Sequence, residues 1–95
     1  MPAQSVHYGQ PDPTEPVVHE LPPIRYEGDE VPVRLAVRRE NDGSWRGRLI
    51  FGAADAEQTP ATAEILFGDS ETDLWQSVRD LREHHLRDLY RSLSE

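Results

Sequence analysis

The 95-residue chain has no cysteine and no lysine. The first absence removes disulfides, thiolate metal ligands and thiol nucleophiles together. The second leaves arginine to supply all ten basic side chains. Long apolar runs are missing too, and a membrane-crossing helix needs about 18–20 such residues. Met1 to Gln10 lack the basic start and apolar centre of a secretory signal. A cytoplasmic location without membrane attachment is the expectation. Large aliphatics are scarce: Leu, Ile, Val and Phe make up 21 of 95 residues, close to the ~20% below which chains tend not to fold. Sixteen of the 21 follow residue 30, which places the core there. One small domain is expected, and domains of ~60 residues are marginal alone.

Catalytic signatures are also missing. There is no Gly-x-Ser-x-Gly elbow and no Gly-rich phosphate loop. Asp55, Glu57 and Glu64 are the nearest approach to paired carboxylates, and so small a fold leaves little room for a deep pocket. No enzyme activity and no cofactor are expected.

What is present falls into two parts. Residues 1–23 hold six of the eight prolines, a density that opposes helix and sheet alike. They are expected to form a mostly disordered leader, with Val17, Val18, Leu21 and Ile24 as a patch that docks on the folded part. Residues 24–95 are expected to form the domain. Glu27-Gly28-Asp29-Glu30 reads as a turn. Val33 to Glu40 alternates, with Val33, Leu35 and Val37 on one face. Asn41-Asp42-Gly43 signals a hairpin. Trp45 to Phe51 alternates again, with Trp45, Gly47, Leu49 and Phe51 inward. Thr62 to Phe67 reads as a third strand with Ala63, Ile65 and Phe67 on its inner face. Gly68 ends it.

Asp69 to Leu93 reads as one long amphipathic helix. Leu74, Trp75, Val78, Leu81, Leu86, Leu89, Tyr90 and Leu93 fall mostly three or four apart. Asp69 or Ser70 can cap the first free N–H groups of the helix, and Ser70 with Asp73 approximates a capping box. The expected fold is therefore α+β: a three-stranded antiparallel sheet in β-β-β-α order, with one long C-terminal helix packed on one face. A helix of that length spans ~36 Å, against ~23 Å for seven-residue strands. Its far end, Leu86, Leu89, Tyr90 and Leu93, is expected to overhang and to make the contact of a homodimer.

Net charge is −8, and it is uneven. Residues 31–50 carry a surplus of three positive charges, while residues 1–30 and 51–73 are acidic. A short hairpin turn brings Arg34, Arg38, Arg46 and Arg48 onto one outward face. Like charges opposite each other in a sheet are destabilising, so this face wants counter-charge. Compensation by acids of the chain itself, Glu64 among them, is favoured. An acidic protein or a nucleic-acid phosphate is the other source, and the net charge opposes the latter at long range. Trp45 and Trp75 read as core. Asp80, His84 and Asp88 share a helix face but lack a third firm ligand type, so no metal is expected.

The Asp42-Gly43 turn, the aromatic Trp45, and the Gly68-Asp69-Ser70 opening with Asp73 and Leu74 resemble the HicB-like antitoxin fold over residues 33–93. The resemblance implies a small non-enzymatic module that binds a protein partner and oligomerises, and it transfers no catalytic residue. Two other readings stay open: a nucleic-acid-binding module using the Arg face, and a structural accessory protein without a ligand.

Overall fold

The computed structural model describes residues 15–94, so most of the expected leader lies outside the described residues. The architecture is α+β, with an antiparallel sheet of four strands rather than three. These are β1 (Val17–Tyr26), β2 (Asp29–Arg39), β3 (Trp45–Phe51) and β4 (Leu66–Gly68), in the order β1-β2-β3-β4. Two helices follow, α1 (Glu71–Arg79) and α2 (Glu83–Ser94).

The additional strand is drawn from the proline-rich stretch. Val17 to Leu21 pairs with Val33 to Val37, and Ile24 to Tyr26 pairs with Asp29 to Val31. Pro22 and Pro23 fall at the register shift between the two runs. That is where a sheet tolerates proline: on an edge strand, at an irregularity. The Glu27-Gly28 turn has positive φ at both residues, 53° and 86°. This is the geometry of a two-residue hairpin turn whose twist suits the flanking strands. It pairs Tyr26 with Asp29, and β2 starts four residues earlier than the alternation beyond Pro32 suggests.

The inner face follows the expected parity on β2 and β3. Val33, Leu35, Val37, Leu49 and Phe51 are all buried, and Ile24 of β1 and Leu74 of α1 complete the deepest layer. On β4 the parity is the reverse of the expectation. Leu66 and Gly68 are buried, while Ile65 and Phe67 are half exposed. Gly68 explains this. A side-chain carbon built on it would lie 2.3 Å from the Leu74 nitrogen and 2.7 Å from the Ser70 carbonyl oxygen. Gly68 must therefore face the start of α1, and Phe67 must face away. Because β4 is short, the preceding segment serves β3: the Thr62 hydroxyl accepts from the Leu49 N–H at 3.0 Å and donates to the Ala63 carbonyl.

The single long helix is a correction as well. Ser70 caps α1 as expected, its hydroxyl accepting from the Asp73 N–H. The helix then ends at Asp80. The Leu81 N–H donates to the Val78 carbonyl, tightening the last turn. The chain restarts at Glu83, where the Arg82 N–H donates to Nδ1 of His85. This is one half of a capping-box exchange, with His85 in the acidic residue's place. The apolar pattern gives the reason. At ~100° per residue, Leu86, Leu89, Tyr90 and Leu93 centre roughly 100° around from Leu74, Val78 and Leu81. A straight helix aims one group at the sheet and swings the other off it. The break re-aims α2, so that Tyr90 meets Tyr26 edge-on at 5.1 Å and Phe51 at 5.3 Å between ring centres.

Candidate functional site

The outward face of the sheet carries the four arginines proposed from sequence. Cross-strand pairing sets Arg38 opposite Arg46, Arg34 opposite Ile50, and Arg48 opposite Ala36. Arg46 in turn faces Phe67 of β4. The hairpin thus brings the four residues to one face, and the register decides their neighbours.

Arg38 is the centre of a charge network. Its Nε lies 2.5 Å from one Glu64 oxygen and its Nη2 lies 2.7 Å from the other, a two-pronged clasp. Nη2 also reaches Glu40 at 2.9 Å. These bonds hold the Arg38 guanidinium even more firmly protonated than usual. The Arg38 bonds hold the Glu64 carboxyl below its ordinary range, against a smaller opposing effect of burial. Arg46 Nε is 3.2 Å from the same Glu40 oxygen, an ion-pair distance without the alignment of a hydrogen bond. Its guanidinium carbon sits 5.1 Å from the centre of the Phe67 ring, within cation–π reach. Arg34 Nε donates to the Gly52 carbonyl at 3.3 Å. Arg48 is exposed and makes no ion pair among the described residues. The like-charge opposition of Arg38 and Arg46 is thus met by Glu40 and Glu64 from within the chain.

Around this network lie apolar side chains that sequence reading assigned elsewhere. Val18, Ile65 and Phe67 are each about half exposed. Val18 pairs with Ala36, and Phe67 with Arg46, so both belong to the arginine face. Ile65 shares it by alternation with Phe67. The inward side of Gly68, set by its approach to the Leu74 backbone, fixes the side of the residues before it.

The second group of proposed residues lies on α2. Leu86, Leu89 and Tyr90 are half-buried against the core, and Leu93 is exposed. The break removes the straight 36 Å rod that the overhang required. A groove of about 470 Å³ opens beside it, lined by Leu21, Pro22, Pro23, Ile24, Trp75, Val78, Leu81 and Leu86, with Arg79 and Glu83 also on its wall. Trp45 and Trp75 pack on the core, and Trp75 meets His19 of β1 edge-on at 5.0 Å. The His84 and His85 rings are 4.0 Å apart. Among the described residues, no three His, Cys, Asp or Glu side chains converge as a metal site would require. No helix among them is long and apolar enough to cross a membrane. Comparison with known proteins finds no family model, no curated protein and no solved structure that matches this chain.

Proposed function

We propose that this protein is a small non-enzymatic module that binds a protein partner across the outer face of its sheet, the role the HicB-like resemblance implies. One observation carries the reading. Two of the four arginines of that face, Arg38 and Arg46, are paired with Glu40 and Glu64, and half-exposed Val18, Ile65 and Phe67 stand among them. Arginine beside exposed aromatic and aliphatic groups is the composition of protein interfaces and their hot spots. Phosphate binding needs the opposite, cations free to displace counterions from the nucleic-acid backbone.

The nucleic-acid reading retains support from Arg34 and Arg48, neither of which makes an ion pair among the described residues. The protein-partner reading is tested by affinity capture from its own cell extract, comparing the native chain with a Phe67→Asp/Arg46→Glu variant and a Glu71→Ala control on α1. The expected result is one protein retained at equimolar yield by the native chain and the control, and lost from the face variant. A partner held equally by all three, or none held by any, overturns the reading. Circular dichroism of each variant establishes that the fold is intact.

A further inference from the structure

We infer that the outer edge of β1, unpaired among the described residues, pairs with the same edge of a second copy, antiparallel about a two-fold axis at His19. The edge shares Val18 with the sheet face proposed above, but the Arg46 and Phe67 positions that test that face lie two and three strands away, so the two readings fail separately.

The edge is protected along one half only. Beyond Leu21 the prolines interrupt the strand, and the Glu83 carboxylate of α2 accepts from the Arg25 N–H at 3.3 Å. Natural sheets blunt their edges with such devices, or with lysine and inward-pointing charge. Val17 to Leu21 has no proline and no bulge, no cover among the described residues, and one charged side chain, Glu20. It runs in unbroken register with β2, and Val17 and Val18 are both half exposed, on opposite faces of the sheet.

The occupant follows from the sequence of that edge. In a two-fold pair with both inner faces on one side, facing residues must share a face, so the axis passes through a residue position. An axis at Val18 or Glu20 brings a proline into the pairing, Pro16 in one case and Pro22 in the other. An axis at His19 engages all five bulge-free residues. It sets Val17 opposite Leu21 of the second copy on the inner face, and Val18 opposite Glu20 on the outer. Leu21 lines the groove beside the helix break together with Trp75 and Leu86. The exposed Val17 of each copy thus meets the open apolar groove of the other, twice, as a two-fold interface requires. No two like charges face each other: Glu20 is the one charged residue of the stretch, and in the register of its own sheet it lies opposite Arg34. Five strand residues and one groove bury less than the ~800 Å² per partner of a standard interface. The dimer is therefore concentration-dependent.

Sedimentation velocity of the full chain from low to high micromolar concentration tests this. The mass is expected to rise from 10.8 kDa toward twice that value. A Val17→Lys/Val18→Lys variant, with unchanged circular dichroism, is expected to weaken dimerisation at least ~10-fold. Because the chain has no cysteine, a single Val18→Cys variant adds a second readout. Its two thiols lie diagonally across the axis, ~7–8 Å apart, and a short bismaleimide is expected to link them, whereas Glu71→Cys stays unlinked. A monomer at every concentration overturns the inference, as does equal self-association of the lysine variant. So does a full-length monomer that dimerises only once residues 1–14 are removed, because those residues then occupy the edge themselves.

Discussion

Gly68 shows how much one position can decide. A methyl group there meets backbone rather than a yielding side chain. Gly68→Ala is expected to cost at least the upper end of the ~1–3 kcal/mol typical of overpacking, read as a fall in the urea midpoint. Glu27 is the counterpart on the β1–β2 turn. It holds φ at 53°, a left-handed conformation that costs most side chains ~1–2 kcal/mol and that asparagine accepts readily. Glu27→Asn is therefore expected to stabilise the protein by up to ~1 kcal/mol, measured by the same midpoint. Some of this detail was legible in the sequence. Of the two cap candidates, Asp69 and Ser70, Ser70 makes the cap, and Gly68, expected to break the strand after Phe67, is that strand's last paired residue. Its second role, clearance for the Leu74 backbone, depends on a tertiary approach that no local pattern encodes.

At the scale of elements, the hairpin of β2 and β3 was legible because strict alternation and a strong turn signal agree. β1 was not, because proline density outweighed its apolar residues. An edge strand can place Pro22 and Pro23 at a bulge, and local propensity cannot show that. The helix break, by contrast, was written in the sequence as the five-residue step from Leu81 to Leu86. α2 has no fully buried residue, whereas α1 buries Leu74. Elements with few buried contacts open first, so α2 amides are expected to exchange faster than those of α1 and far faster than those of β2. Equal protection of the two helices contradicts this.

The Arg38–Glu64 clasp joins β2 to the segment before β4, and it gives stability a pH dependence of definite sign. Glu64 is held below its ordinary value of 4.5. A depressed carboxyl stabilises the fold above its unfolded pKa and loses that contribution as pH falls through the folded one. Arg38→Met is therefore expected to lower the urea midpoint at pH 7, with the gap to the native chain narrowing as the pH falls below 4.5. A gap of constant size across that range shows that the clasp contributes no linkage.

For the whole molecule, composition gave the net charge of −8 but not how the arginines are met. Glu40 and Glu64 pair with Arg38 and Arg46, while Arg34 and Arg48 make no ion pair among the described residues. The apolar company of those arginines went unseen, because alternation taken alone put Ile65 and Phe67 on the wrong side. The central claim is that the outer sheet face is a neutralised, partly apolar docking surface and not a phosphate-binding one. Titration of labelled single-stranded RNA and duplex DNA at low ionic strength, followed by fluorescence anisotropy, tests it most directly. The account predicts no binding by the native chain at high micromolar concentration. Binding that weakens steeply with salt, and that Arg38→Glu/Arg46→Glu abolishes, would contradict it.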